Sequence, residues 1–432
     1  MIRRLYTLLF YSALPLVVGR LYVRGHRLPA YRERWLERLG FYGTDMPVAS
    51  SPVIWVHAVS VGEVEAAVPL VRAIMQRWPS YRIMLTTTTP TGSARVQAIL
   101  GHQVSHVYLP YDLPVSLERF LQQFHPVLAI IMETEIWPNL LMACQQQRIP
   151  VMIANARLSA RSSSRYAWLR ASLAQWLSAV HVAAQTEDDA ARFRQLGCSP
   201  QQVTVTGNLK FDLELPEELQ AEGARLGRLY AGDRPILLLA SSHAGEEAML
   251  LEAFSQLRQD FPDLVLAMAP RHPERFNDIY MLCVSRGWKV IRRSAGEQAA
   301  IDAGFCDVLL LDTLGELRTF YAASTVAFIG GSLVPVGGHN VLEAAAQGVA
   351  CLYGPHTQNF RQICDQLADQ GGAVRVQDQQ ALVAAIAALL HDPVRRSHIG
   401  LAARQFVLDN RGALQRHLDL MSRWLPVSIS ES

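Results

Sequence analysis

Residues 53–86 read VIWVHAVSVGEVEAAVPLVRAIMQRWPSYRIMLT. An apolar run, Val53–His57, is followed by a helical pattern, Glu63–Arg77, and a second apolar run, Arg82–Thr86. Strand, helix and strand in so short a stretch make a βαβ unit, whose two strands lie parallel. The alternation continues outward through Val127–Met132, Pro150–Ala154, Val180–Ala184 and Val203–Thr206, with a further helical pattern at Leu117–Gln123. It pauses at Lys210–Asp233, a charged stretch containing Pro216. It then resumes with Pro235–Ser241, Leu264–Ala269, Trp288–Arg292, Val308–Leu311, Thr325–Gly330 and Val349–Tyr353. The expected fold class is therefore α/β, with two doubly wound Rossmann-like domains facing across a cleft. Ligands are expected beyond the carboxyl ends of the strands.

A chain of 432 residues exceeds what one core supports. Half of the residues are apolar and 18% are charged, which excludes a disordered chain. The 40 basic and 38 acidic side chains nearly cancel, so no global field favours a nucleic-acid partner. The cysteines at 144, 198, 283, 306, 351 and 364 form no Cys-x-x-Cys pair, which points away from a disulfide scaffold or zinc knuckle. The expected organisation is an apolar, basic anchor segment at 1–40, an amino-terminal domain at 41–210, a linker at 211–233 and a second domain at 234–405. A last helical pattern, Arg396 to Leu425, either ends the second domain or, over 406–432, crosses back to the first.

The amino terminus carries an apolar run from Leu5 to Gly19 between Arg3-Arg4 and Arg20, Arg24 and Arg27. Fifteen helical residues rise only about 22 Å, short of the roughly 30 Å hydrocarbon core. Pro15 also interrupts the run. Residues 1–40 hold eight Arg against two Glu. An apolar segment in a basic collar is expected to attach to an anionic membrane surface. The rival readings are a helix of the first domain and a signal peptide, although Val17-Val18-Gly19-Arg20 makes a poor cleavage site.

Four turns after strands carry chemistry-bearing residues. In His57-Ala-Val-Ser60-Val-Gly62-Glu63, Gly62 permits a tight turn and Glu63 opens a helix, where a carboxylate can act as general base or merely satisfy the helix dipole. Met132-Glu133-Thr-Glu135-Ile-Trp137-Pro138-Asn139 sets two carboxylates at the end of a buried strand, where desolvation is expensive without a partner. If the strand continues, Glu133 and Glu135 share a face. The alternative is a capping turn with Pro138 opening a helix. Thr206-Gly207-Asn208-Leu209-Lys210-Phe211-Asp212 holds one of only two lysines, and a compact ammonium suits a carboxylate or phosphate. Gly330-Gly331-Ser332 through Gly337-Gly338-His339-Asn340 joins a strand to a helical start at Val341-Leu342-Glu343, an arrangement expected to cradle phosphate. Glu343 is placed to bind ribose hydroxyls. Weaker turns accompany it: Ser241-Ser242-His243-Ala244-Gly245-Glu246-Glu247, Ala269-Pro270-Arg271-His272-Pro273 and Asp312-Thr313-Leu314-Gly315-Glu316-Leu317. No residues show metal-ligand spacing, and no cofactor is expected.

Taken together, His57–Glu63, Met132–Asn139, Thr206–Asp212, Pro270–Arg271, Asp312–Leu317 and Gly330–Pro355 resemble the 3-deoxy-D-manno-octulosonic acid (Kdo) transferases of Gram-negative lipopolysaccharide synthesis. The resemblance runs over nearly the whole chain, including its amino terminus. It implies an inverting GT-B glycosyltransferase that moves Kdo from CMP-Kdo to a tetraacylated lipid A precursor (lipid IVA), at the cytoplasmic face of the inner membrane. It also implies that Glu63 is the general base, that Glu133 and Lys210 stabilise the transition state, and that CMP lies against Pro270, Arg271, Leu314, Gly315, Glu316, Asn340, Val341, Leu342 and Glu343. The competing reading is a soluble nucleotide-sugar epimerase on the same scaffold, which leaves the apolar amino terminus unexplained.

Overall fold

The computed structural model describes residues 2–43, 51–213, 216 and 218–426. The chain divides between Asp212 and Leu213 and again between Asn410 and Arg411, so its last segment belongs with its first.

Unit 1 begins with helix α1 (Ile2–Arg27), which contains Pro15. The apolar run extends as helix past Arg20 and Arg24. From Ile2 to His26 it is long and apolar enough to cross a membrane by length and composition, with a mean hydropathy of 1.4. The sheet of unit 1 comprises β1 (Val53–His57), β2 (Arg82–Thr87), β3 (Ser105–Tyr108), β4 (Pro126–Met132), β5 (Val151–Ala156), β6 (Val180–Ala184) and β7 (Val203–Val205). All pairs are parallel, in the order β3-β2-β1-β4-β5-β6-β7. Alternate residues of β1 enter opposite layers: Val53 and Trp55 join one core cluster, Ile54 and Val56 the other. Both faces are covered, which is why the strands read as unbroken apolar runs. Helix α2 (Val61–Arg77) lines the second layer through Val64, Ala67, Val71 and Ile74.

Unit 2 repeats the plan with β8 (Ile236–Ser242), β9 (Val265–Pro270), β10 (Val290–Arg292), β11 (Val308–Leu310), β12 (Val326–Ile329), β13 (Cys351–Tyr353) and β14 (Ala373–Arg375). These strands are again parallel, in the order β10-β11-β9-β8-β12-β13-β14. In each sheet the winding direction reverses once, between β1 and β4 in unit 1 and between β8 and β12 in unit 2. Such a switch point opens a crevice at the strand ends, the usual place for a ligand.

Three expectations need correction. The stretch 211–233 is not a plain linker. Within it Glu218–Ala231 is a helix packed on the Leu317–Ala323 helix, so closely that a side chain at Gly223 would stand 2.4 Å from the Ala322 methyl. Residues 214, 215 and 217 of that stretch lie outside the described residues. The last helical pattern is two helices, Pro393–Asp409 in unit 2 and Ala413–Met421 in unit 1, parted at Gly412 with φ 91°. Asp212 holds the second of these, accepting from the Gly412 and Leu414 N–H groups at 2.6 Å each. Finally, β3 and β14 were not expected. Both are edge strands, of four and three residues.

Candidate active site

In unit 1 the turn after β1 places Ser60 in extended conformation at the start of α2, with Glu63 in the first helical turn. The Glu63 carboxylate accepts from the Val59 N–H at 2.8 Å and from the Ser60 hydroxyl at 3.2 Å. It therefore closes its own turn, with these two donors among the described residues. Burial pushes its pKa up to about 7. The Val59 N–H opposes this, the charges of Glu133 and Glu135 add to it, and Ser60 opposes it. A half-buried carboxylate in that range can accept a proton near neutrality. Gly62 is not required by the turn: it lies inside α2, and a side chain there would meet open space.

Strand β4 neighbours β1, with Ile131 opposite His57, so its end lies beside the Glu63 turn. The strand stops at Met132, and Glu133 turns into the left-handed region at φ 59°, its N–H bonded to the Ala154 carbonyl at 2.9 Å. Strand alternation thus ends before Glu133 and Glu135, and a shared strand face does not describe them. A non-glycine residue in this conformation is held there by its surroundings. The Thr134 hydroxyl bonds the Arg157 carbonyl. The Trp137 indole donates to Glu135 at 2.6 Å, and burial, with Glu133 adding, raises the Glu135 pKa. The first two motifs therefore meet as a group of three carboxylates at the switch point.

Lys210 arrives from β7, three strands beyond β4, by a turn over the sheet end. Asn155, itself left-handed at φ 53° and fully buried, accepts from the Leu209 N–H at 3.0 Å. Asn208 accepts from the Lys210 N–H at 3.0 Å, and the Leu209–Phe211 turn packs against α2. Asn155 escaped the sequence reading. Nothing in the one-dimensional pattern marks a strand-end Asn that folds a distant turn back.

In unit 2 the expected CMP residues follow β9, β11 and β12, at one end of one sheet. Pro270 ends β9. Arg271 is exposed, with its N–H on the Ser242 carbonyl at 3.1 Å. Leu314 is 76% exposed, and Gly315 has φ 90°. The Glu316 carboxylate is already held by Arg293 at 2.7 Å and by the Thr313 hydroxyl, so the free groups of this turn are on its backbone. Asn340 accepts from the Leu342 N–H at 3.0 Å, Val341 and Leu342 are buried, and Glu343 is paired with Arg318 at 3.0 Å.

The glycine-rich loop departs from expectation. Glu246, fully buried at the start of its helix, accepts from the N–H groups of Gly331, Ser332 and Leu333 at 2.7, 3.0 and 3.0 Å, and from that of His243 at 3.1 Å. The Gly337 and Gly338 N–H groups both reach the Gly331 carbonyl. These amides are spent inside the protein and do not form a phosphate cradle. Beside them His339 and His243 meet through their Nε2 atoms at 2.8 Å, with His272 edge-on to His243 at 5.2 Å between ring centres. Burial, with His243 and Arg271 adding, pushes His339 down to about 4, and burial lowers His243. Arg271 brings its guanidinium charge to this group.

Residues 33–213 match the family model of 3-deoxy-D-manno-octulosonic-acid transferase (kdotransferase). The chain is 42% identical to a 3-deoxy-D-manno-octulosonic acid transferase of Haemophilus influenzae, covering 98% of this chain and 99% of that one. It is 38% identical to a transferase of the same name from Bordetella pertussis, again over 98% and 99%. Among solved structures, UDP-GlcNAc 2-epimerase of Neisseria meningitidis aligns with TM-score 0.55 and 14% identity, over 86% of this chain and all of that one. MurG of Acinetobacter baumannii aligns with TM-score 0.53 and 14% identity, over 86% and 99%. At that identity these two speak to the fold alone. Two parallel doubly wound sheets of this kind define a GT-B protein, and the sequence relatives make it a glycosyltransferase. The chain belongs to the 3-deoxy-D-manno-octulosonic acid transferase family.

Proposed function

We infer that the protein transfers Kdo from CMP-Kdo to a tetraacylated lipid A precursor in lipopolysaccharide synthesis, with inversion, at the cytoplasmic face of the inner membrane. The carrying observation is Glu63, a carboxylate with two weakly compensating donors and two like charges beside it. Glu63 takes the proton of the acceptor hydroxyl as that oxygen attacks the anomeric carbon. The bond from that carbon to the phosphate oxygen breaks on the opposite face, and CMP leaves with its electron pair. Lys210 supplies positive charge to the anionic donor, and Glu133, fixed by its left-handed turn, steadies the reacting sugar. Pro270, Arg271, the Leu314–Glu316 turn and Asn340–Glu343 hold CMP, with Arg271 as the phosphate's cation. In this reading residues 41–210 take the acceptor and 234–405 the donor.

The test is mass spectrometry of the lipid after incubation with a CMP-Kdo-generating system and the tetraacylated precursor. The expected result is a mass gain of whole Kdo units, with one CMP released for each. Consumption of donor without CMP release would overturn the reading in favour of an epimerase.

A further inference from the structure

Helix α1 is apolar around most of its circumference, yet one stripe of it is partly shielded by protein. Tyr6, Phe10, Ala13, Val17 and Leu21, at helical spacing, are half-buried, whereas Leu5, Leu8, Leu9 and Leu16 are 57, 63, 60 and 77% exposed. The shielded stripe carries two hydroxyls near its start, and both find buried polar partners in unit 1. Thr7 Oγ1 accepts from Asn139 Nδ2 at 3.0 Å, and the Tyr6 hydroxyl interacts with the Asp112 carboxylate beside it. Asn139 and Asp112 are 2 and 3% exposed. Asp112 in turn accepts from the N–H groups of Asn139 and Leu140 at 3.1 and 2.8 Å, capping the Pro138–Gln146 helix. The Phe10 ring lies 6.1 Å from that of Tyr111.

The other end of α1 is fastened as well. After it, Arg34 donates to the His106 carbonyl and Glu37 accepts from the Tyr108 N–H, both at 2.8 Å, joining this segment to β3. Thr7 and Arg27 are about 30 Å apart along a helix. A helix with both ends on the same unit cannot have one of them beyond a bilayer. Its exposed leucines, with Arg3, Arg4, Arg20 and Arg24 along the same segment, match an anionic lipid surface.

We propose that Tyr6 and Thr7, through Asp112 and Asn139, latch α1 along the flank of unit 1, so that the helix lies in the plane of an anionic membrane and does not cross it. The latch sits on the helix that follows Trp137, the residue holding Glu135. It thus sets the height of the carboxylate group above the lipid surface. Tyr6 and Thr7 are positioning residues for a membrane-held acceptor, a role that rests on the lipid acceptor proposed above.

The test uses the full chain in vesicles of phosphatidylethanolamine with phosphatidylglycerol. Thr7→Cys with Asn139→Cys is expected to be bridged by a short bifunctional thiol-reactive cross-linker, as is Phe10→Cys with Tyr111→Cys, which spares the buried Asn139. The six native cysteines are free and buried, which keeps the background low. Failure of both well-folded pairs to cross-link in vesicles would overturn the latch. This readout does not depend on donor or acceptor identity. Separately, the Tyr6→Phe/Thr7→Val double variant is expected to raise KM for acceptor in vesicles about tenfold, with kcat and the kinetics on a deacylated, water-soluble acceptor within about twofold. An equal loss on both acceptors would refute the positioning role.

Discussion

Glu63 and Glu246 occupy matching places. Each follows the first strand of its sheet, each opens a helix, and each sits beside the point where the sheet reverses its winding. Their surroundings differ. Glu246 is wholly buried and accepts from four backbone N–H groups, three of them from the loop after β12. Glu63 is half-buried, has one backbone N–H and one hydroxyl, and faces two further carboxylates. The same turn design thus yields a structural clamp in one unit and a proton acceptor in the other. Donor count and neighbouring charge decide which.

The largest separation between the two should come from neutralising each. Glu63→Gln keeps an acceptor for the Val59 N–H but cannot take a proton. Transfer should fall about 10²- to 10⁴-fold in kcat while CMP affinity, read by calorimetry, stays unchanged. Near-normal turnover would end the base assignment. Glu246→Ala should do the opposite kind of damage. It leaves four backbone N–H groups, two of them fully buried, without this acceptor, and unfolding in urea should show a loss of at least about 3 kcal/mol. A Glu246→Ala protein of native stability would mean that the loop does not depend on this carboxylate.

The contrast extends to pH. Glu63 in the folded protein titrates at about 7, above its ordinary 4.5, so folding favours its protonated form. The resulting penalty on stability is absent below about pH 4.5, grows between there and 7, and is complete above, reaching on the order of 1–3 kcal/mol. Glu63→Gln should therefore be more stable than the parent at pH 8 and equal to it near pH 4.5, as thermal melts at the two values would show. In the parent, kcat/KM should rise with pH through about 7 as the base loses its proton. A flat profile between pH 6 and 8 would contradict it.

Much of this frame was legible in the residues. Buried parallel strands must be apolar on both faces, so twelve of them stood out as runs, and only the short edge strands β3 and β14 passed unseen. The positions of Glu63 and Glu133 at strand ends followed from the same runs. What the residues could not display was the pairing of polar groups across the sequence. The glycine-rich loop looks like a phosphate cradle until Glu246, 85 residues before Gly331, is seen to occupy its amides. Glu316 looks free until Arg293 is found on it, and Glu343 until Arg318 is. The left-handed turns at Glu133 and Asn155 carry no glycine to announce them.

The finest test concerns the charges that distinguish Glu63 from its counterpart. Glu135 is held by the Trp137 indole and adds a like charge to a site that burial already makes unfavourable for an anion. Burial is the largest cause of the Glu63 shift and the Glu135 charge a lesser one. Glu135→Gln retains an acceptor for the indole while removing the charge. The acid limb of the kcat/KM profile should then move to lower pH by less than about one unit, with the plateau rate changed only a few-fold. A displacement toward higher pH would show that Glu135 stabilises the ionised base through some other contact. An unmoved limb would leave burial and Glu133 as sufficient, and would place Glu135 with Trp137 in the architecture of the turn.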